Sequence, residues 1–322
     1  MSLPPQNSNH LSNLNVDELI DLYGGIVDKQ FATAATMREF VNMKPVRGTD
    51  TLTVRNMGVS TVNAITPGVR PAAGVTPFSR AQVTVDTTVY ARNNTFILED
   101  IQSDVNIPKE VGMQHGKDLG KLFDQSVFIQ GIKATGLPPV AALNGAIGGG
   151  TRQTLATAGD ELDPNRLYAE IEGIVVALQE REIPTDEMSI FVRPLQYSVL
   201  LNHDKLVDRD FSGTNGSFAK GKFATIYGLP VISTPRLPTG QITDHVLSKS
   251  SNNNAYDTTA EEGRVCALIM HPDALLAGES ITMTHNIHYN DTEFMTFIDS
   301  YMAYGLAPRR GDLAAAVLTA AP

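Results

Sequence analysis

The sequence predicts an α+β fold in which a domain built from both ends of the chain receives an inserted α/β domain. Three observations support this prediction. A long helix is predicted over residues 107–133, a β-hairpin of low hydrophobic content precedes it, and helices alternate with strands from about residue 163 to 270. The ends of the chain resemble the strand pattern of residues 81–97 more than the middle does.

Composition indicates an ordinary globular protein. Of its 322 residues, 42% are hydrophobic and 19% charged, and the length suggests about two domains. The formal net charge of −10 disfavours tight binding of nucleic acid. The single cysteine, Cys266, excludes an internal disulfide and indicates a reducing compartment. No apolar run approaches the ~20 residues that span a bilayer, and the N-terminus lacks the pattern of a secretion signal.

The N-terminal region predicts an arm followed by a helix. Residues 1–15 are polar and are expected to be mobile. An amphipathic helix is predicted from Val16 to about Ala35, capped by Asn15, with Gly24 and Gly25 weakening its middle. The residues that line its apolar side are Leu19, Tyr23, Ile26 and Phe31.

The predicted helix over residues 107–133 carries three glycines on one stripe. Gly112, Gly116 and Gly120 are each four residues apart and therefore stack on one face. Each glycine inside a helix costs roughly 1 kcal/mol relative to alanine. The stripe favours close approach of another backbone, and the alternative is a core helix with incidental glycines.

Residues 50–92 predict a long hairpin formed by TLTVRNMGV and RAQVTVDTTVYA. A lone two-stranded ribbon is marginal in water, so the same chain or a neighbouring subunit should hold it. Arginines give the hairpin a basic bias that suits an acidic neighbour, and the alternative is an ordinary solvated hairpin. These arginines are Arg55, Arg70, Arg80 and Arg92.

The middle of the chain predicts a flexible connector and then an α/β domain. Residues 137–162 are the expected connector and domain boundary, and Asp163 with Pro164 opens a helix that Pro184 ends. Further elements are strands over 188–192, 229–233 and 265–270, a helix after Pro194, and a polar surface loop over 237–263. A strand from Ser280, a short amphipathic segment over 294–302 and a closing strand AAAVLTA complete the chain.

We find no sequence pattern for a catalytic, cofactor-binding or metal site, and we expect no enzyme. The glycine cluster at Gly145 and Gly148–Gly150 lacks the Lys-Ser/Thr of a phosphate loop. His285 and His288 are three apart in a strand and should point to opposite faces. Cys266 lies in the apolar run VCALIM and should be buried and inert.

Other catalytic patterns are also missing. No G-x-S-x-G nucleophile elbow occurs. His271, Pro272 and Asp273 resemble a helix start. The acidic pairs Glu99-Asp100 and Glu261-Glu262 are adjacent residues, a spacing that does not indicate an acid/base dyad.

Four stretches in this order resemble the major capsid protein of tailed phages, which has the HK-ninety-seven-type fold, and in particular that of the short-tailed podoviruses. The stretches are LYGGIVDKQFATAATMREFV, EVGMQHGKDLGKLFDQSVFIQGI, DRDFSGTNGS with GKFATIYGLPVISTPRLP, and YMAYGLAPRRGDLAAAVLTA. The resemblance covers nearly the whole chain. Each motif alone is weak, and the order and spacing carry the likeness.

The resemblance implies an architecture and a function. Residues 1–48 would form an N-terminal arm and helix, 49–85 an extended loop over the adjacent subunit, 86–140 with 279–322 a peripheral domain with a long spine helix, and 141–278 an axial domain. The chain would assemble as hexamers and pentamers into an icosahedral shell around double-stranded DNA, in the host bacterial cytoplasm. A portal and, since only about fifteen polar residues precede the first helix, a separate scaffolding protein without maturation cleavage are also implied.

Two alternatives stay open. An encapsulin-like nanocompartment shares the fold but packs enzymes rather than DNA, and neighbouring genes distinguish the two. A cytoplasmic α/β enzyme with a hairpin flap is the third interpretation, and the missing site motifs disfavour it.

The absence of lysine from residues 49–85 predicts a shell without covalent links between subunits. The founding member of the fold joins subunits through a lysine in this loop. Boiling assembled particles in denaturant should therefore release only monomer-sized chains on a denaturing gel, and a ladder of covalent multimers would contradict the prediction.

Overall fold

The structure, a computed structural model, contains two main sheets and one long helix between them. It describes residues 16–60, 62, 64–65, 67–68, 76–96, 107–143, 145–203, 206, 216–217, 222–223 and 225–321. The α-helices are α1 (Val16–Ala34), α2 (Met37–Phe40), α3 (Ile107–Ala134), α4 (Pro164–Glu180) and α5 (Pro194–Leu200). The strands are β1 (Met43–Pro45), β2 (Thr51–Met57), β3 (Phe78–Thr84), β4 (Thr88–Phe96), β5 (Thr151–Thr154), β6 (Ser189–Val192), β7 (Gly216–Ser217), β8 (Lys222–Phe223), β9 (Thr225–Ile226), β10 (Leu229–Ser233), β11 (Val265–Met270), β12 (Leu275–Asn290), β13 (Met295–Pro308) and β14 (Ala314–Leu318).

The strands of the described residues form two large sheets and two ribbons. The four-stranded sheet has the order β1-β12-β13-β4, and the six-stranded sheet has the order β5-β14-β11-β6-β10-β9. Within the described residues, strands β2 and β3 pair only with each other, as do β7 and β8. The predicted α+β fold class is confirmed.

Helix α3 lies between the two sheets, and its bounds match the predicted helix to within one residue. Every residue from 126 to 132 is buried, because this part of the helix is enclosed on all sides. The buried polar residues have partners, as burial requires. The Ser126 hydroxyl donates to the Leu122 carbonyl at 2.7 Å, and the Gln130 amide donates to the Ala255 carbonyl at 2.9 Å.

The glycine stripe of α3 is the surface on which α1 packs. A Cβ atom on Gly116 would lie 2.5 Å from the carbonyl oxygen of Val27, and one on Gly120 would lie 2.8 Å from the Cβ of Ala34. At Gly112 the neighbour is the ring of Tyr23, at 3.0 Å. The prediction that the stripe permits close backbone packing is therefore confirmed, and the partner is the N-terminal helix.

The end of α1 is fixed to α3 by a buried carboxylate. Asp124 accepts hydrogen bonds from the backbone N–H groups of Thr36 and Met37, at 3.2 and 3.0 Å, and from the Thr36 hydroxyl at 2.9 Å. Thr36 directly precedes α2 and Met37 is its first residue. Asp124 of α3 therefore caps the N-terminus of α2, a role that a residue next to the helix usually has.

The prediction of one continuous return strand in RAQVTVDTTVYA is wrong. The segment divides into β3, which pairs with β2, and β4, which pairs with β13. The division falls at residues 85–87, where the Val85 N–H donates to the Asp50 carbonyl and Asp86 is bonded by Ser251. Alternation of apolar residues fixes which faces are buried but not which strand is the partner.

Two predictions near the C-terminus also need correction. The short amphipathic segment over 294–302 is part of β13, a 14-residue strand. The closing strand β14, which we grouped with the peripheral domain, pairs with β11 and β5 in the six-stranded sheet. All five residues of β14 are buried, and such an apolar run suits the centre of a sheet covered on both faces.

The predicted connector and surface loop are more ordered than expected. In the connector, β5 joins the six-stranded sheet, and Gly150 packs against Gly311 and the end of α3. In the 237–263 loop, Leu247 and Tyr256 are buried, and the Tyr256 hydroxyl donates to the Leu306 carbonyl at 3.2 Å. The predictions for residues 1–15 and for DRDFSG lie outside the described residues.

We expect Gly116→Ala to destabilise the chain by about 1–3 kcal/mol, because the new methyl group must displace the backbone of α1. The matched control is Gly25→Ala in α1, where no atom lies within 4 Å of the added Cβ. The control should stabilise by up to about 1 kcal/mol. Urea unfolding of both variants measures the difference, and equal effects would show that the close approach is not what makes Gly116 necessary.

Candidate self-association surfaces

The residues considered for chemistry occupy structural positions. Cys266 is fully buried, its thiol donates to the Val317 carbonyl at 3.3 Å, and burial raises its pKa to about 12. A thiol with that pKa carries almost no thiolate at neutral pH, so it is a poor nucleophile. The predicted burial of Cys266 is confirmed.

The two histidines of β12 point to opposite faces, as predicted. His285 faces α1, and its Nε2 lies 3.1 Å from Asp28 Oδ1. His288 lies on the other face, where its ring stacks on Phe297 with 5.2 Å between ring centroids. They cannot bind one metal ion, and the described part of the chain holds no group of three or more potential metal-ligating residues.

The remaining candidates also stabilise the fold. Arg152 forms ion pairs with both Glu261 and Glu262, each at 3.3 Å. His271 is a helix start as expected, because its Nδ1 accepts from the Asp273 N–H at 3.0 Å. The pair Glu99-Asp100 lies outside the described residues. No helix among those the structure describes is long and apolar enough to cross a membrane.

A buried polar network holds α1 against α3 and the four-stranded sheet. The Tyr23 hydroxyl lies 2.6 Å from His115 Nδ1 and 2.7 Å from Ser300 Oγ. Ser300 Oγ is also 3.1 Å from His285 Nδ1, and His115 Nε2 is 3.1 Å from Asn93 Oδ1. Three elements are thus joined through one tyrosine.

The network also explains Gly24 of α1. A Cβ on Gly24 would lie 2.8 Å from the Cδ2 of His285, so the ring can approach only because the residue is glycine. Burial raises the pKa of Tyr23 to about 12, and burial lowers the pKa of His115. Both groups are therefore neutral near pH 7, which a buried network requires.

The hairpin of β2 and β3 buries one face and exposes the other. On the buried face, the side chain of Val83 packs against the glycine pair Gly278 and Gly305 of the four-stranded sheet, and the backbone carbonyl of Thr84 also approaches Gly305. Arg309 donates to Asn56 further along the hairpin, at 3.1 Å. On the other face the paired residues Met57 and Phe78 are 65% and 63% exposed. The same chain thus holds one face of the hairpin, as the sequence suggested it could.

The outer face of the four-stranded sheet is also rich in apolar residues. Tyr90 pairs with Tyr301 across β4 and β13 and is 69% exposed, and Phe96 pairs with Met295 and is half exposed. Exposed apolar groups that cluster on one surface are typical of association sites. The sequence analysis missed this surface, although the aromatic residues Tyr90 and Phe96 lie on the same face of β4 and could have indicated it.

Solved structures with a similar fold include phage capsids. One is the asymmetric unit of the mature capsid of bacteriophage PhiM1, with a TM-score of 0.79 and 24% identity, covering 88% of this chain and 87% of that chain. The capsid of cyanophage P-SCSP1u gives a TM-score of 0.77 at 16% identity, covering 88% and 87%.

This chain has the fold of a phage capsid protein. A virus-like particle from Pyrococcus furiosus is also similar, with a TM-score of 0.54 at 12% identity, covering 93% of this chain and 99% of that chain. The HK-ninety-seven-type fold that the resemblance implied is thereby confirmed. No protein-family model and no curated protein matches the sequence.

Acidification is expected to loosen the docking of α1. Because burial lowers the pKa of His115, the folded chain binds this proton less well than the unfolded chain, whose histidine titrates near 6.5. The network therefore stabilises the fold fully above pH 6.5 and loses stability as the pH falls below it. Asp118 and Asp299 oppose this shift, and His285 adds to it.

Thermal unfolding at pH 7.5 and pH 5.5 measures the effect. The midpoint should fall more steeply for the natural chain than for His115→Gln, which keeps a polar side chain but cannot be protonated. An equal fall of the unfolding midpoint in the two proteins would show that groups other than His115 cause the acid sensitivity.

Proposed function

We propose that this protein is the major capsid protein of a tailed, short-tailed bacteriophage. It self-assembles as hexamers and pentamers into an icosahedral shell that encloses double-stranded DNA. Its role is structural rather than catalytic. The observation that carries the proposal is the likeness, at a TM-score of 0.79 over 88% of the chain, to a mature phage capsid.

Two properties of the surface support the proposal. The hairpin and the outer sheet face expose large apolar residues, among them Met57, Phe78 and Tyr90, and such groups are normally buried in an interface. The net charge of −10 suits a container wall, because an acidic surface does not hold packaged DNA tightly. Contact with DNA is then one of proximity and is not sequence-specific.

The proposal gives each region of the chain a role. The unit built on the six-stranded sheet is the axial domain, which points to the capsomer centre and to which β14 belongs. The four-stranded sheet with α3 is the peripheral domain, and residues 49–85 are the extended loop. The other partners are a separate scaffolding protein and a portal, and assembly takes place in the cytoplasm of the host before the chain becomes part of the virion.

A nanocompartment shell is the second candidate function, favoured by the likeness to the Pyrococcus furiosus virus-like particle. The contents of the particle distinguish the two candidates. A phage shell made in infected cells protects DNA from nuclease, and a nanocompartment carries a protein cargo.

The full chain, expressed alone and with the scaffolding protein encoded beside it, is expected to form capsomers or shells. Size-exclusion chromatography and negative-stain microscopy provide the measurement. A monodisperse small oligomer under both conditions would contradict the proposed function and favour the enzyme interpretation.

A further inference from the structure

The exposed face of the hairpin carries two arginines in direct opposition. Arg55 of β2 is the cross-strand partner of Arg80 of β3, and both side chains are exposed. The next pair on this face is Met57 with Phe78. Like charges directly opposite each other in an antiparallel pair are destabilising. The arginine pair therefore does not stabilise an isolated hairpin. An anion placed between the two guanidinium groups would turn their repulsion into a stabilising interaction.

The described residues of the chain supply no such anion. Neither Arg55 nor Arg80 forms an ion pair within the part of the chain that the structure describes, whereas Arg92 is held by Asp299 at 2.6 Å. The sequence between β2 and β3 contains no aspartate or glutamate. Residues 49–85 as a whole hold three arginines and one aspartate, in a chain with a net charge of −10. The hairpin is thus a basic region of an acidic protein.

A complementary surface lies at the turn between β12 and β13. Asp291 and Glu293 are both exposed there, and within the described residues neither carboxylate forms an ion pair or a hydrogen bond. The exposed rings of Tyr289 and Phe294 flank the two acidic residues in the sequence, and Phe294 is 63% exposed. Two carboxylates with exposed aromatic rings match two guanidinium groups with exposed apolar side chains.

The two surfaces lie at opposite ends of the same sheet. The hairpin packs on Gly278 and then runs towards Arg309, beyond the end of β13. The acidic turn begins thirteen residues along β12 from Gly278, which at the rise of a strand is roughly 40 Å away. One chain therefore cannot bring its own two surfaces together, and their contact must join two copies.

We propose that the Arg55–Arg80 face of the hairpin binds Asp291 and Glu293 at the β12–β13 turn of a second copy of this chain. This contact rests on the proposed function, because it is the interaction that would link subunits in the shell. It is heterologous, since different surfaces meet, and repetition of such a contact gives rings or open arrays. The charge-assisted hydrogen bonds fix the register, and the apolar side chains beside them become buried.

Nucleic acid is the other polyanion that two arginines could bind. A phosphate backbone would neutralise Arg55 and Arg80, but it has no groups that match Met57 and Phe78. The carboxylates of a second copy have such groups beside them. The observations therefore favour a protein partner.

Charge exchange tests the proposal. Arg55→Glu with Arg80→Glu should raise the protein concentration needed for assembly at least about tenfold, equivalent to ~1.4 kcal/mol per contact. Asp291→Arg with Glu293→Arg should do the same. The chain carrying all four changes should assemble like the natural chain, because each contact is restored with its charges reversed.

A control and two contrary outcomes complete the test. Lys117→Glu with Arg166→Glu reverses two exposed positive charges away from the hairpin and should leave assembly unchanged. Failure of the four-change chain to recover would overturn the proposed contact. An assembly defect of the hairpin variant that appears only when DNA is present would overturn it in favour of nucleic acid.

A disulfide experiment separates this contact from the proposed function. With Arg80→Cys and Glu293→Cys in one chain, mild oxidation with diamide should give a ladder of linked chains on a non-reducing gel, and each single variant should give dimers at most. Cys266 is buried and does not interfere. A ladder of linked chains without shells would refute the shell function and support the contact. Shells without a ladder would refute the contact and support the shell function.

Discussion

The close approach of α1 to α3 is the constraint on which the rest of the structure depends. Helix α3 packs against both sheets, and α1 reaches it only where Gly112, Gly116 and Gly120 carry no side chain. Once α1 packs on these glycines, the Tyr23 hydroxyl lies within hydrogen-bond distance of His115 and Ser300. Asp124 then accepts a hydrogen bond from the backbone N–H of Met37 at the start of α2. The glycines lower the stability of an isolated helix. They stabilise the folded chain, because the packing they permit offsets the free-energy cost of glycine in a helix.

The two halves of α3 have different surroundings and therefore different sequences. The N-terminal half carries the glycine stripe towards α1 and exposes charged residues such as Lys117. The C-terminal half is buried all round, and there Gly131 lies against Met270 and Leu268 of the six-stranded sheet. A helix enclosed on every side loses its amphipathic pattern. This is why apolar spacing marks the helix less clearly in this half.

The elements that depend on local patterns were predictable from the sequence. Strands β10 and β11 and the Asp163 cap of α4 follow from apolar runs and turn residues, and they lie where expected. Partner choice was not predictable in the same way. The division between β3 and β4 and the entry of β14 into the six-stranded sheet depend on contacts between distant residues, such as Ala316 with Leu268.

The association surfaces were predictable only in part, for the same reason. The basic bias of the hairpin could be read from its arginines, but the sequence could not tell Arg92, which has a partner in Asp299, from Arg55 and Arg80. Nor could it place the acidic turn at the opposite end of the sheet. Both facts follow from strand register, which is a property of the fold and not of any one segment.

The opposed arginines make the hairpin a point of local frustration in the single chain. A minimally frustrated fold would not place Arg55 against Arg80, and the proposed contact with a second copy would remove their repulsion. Under that proposal the free subunit presents an incompletely stabilised hairpin, whose full order is coupled to its neighbour. In such a chain the last step of folding and the first step of assembly are the same event.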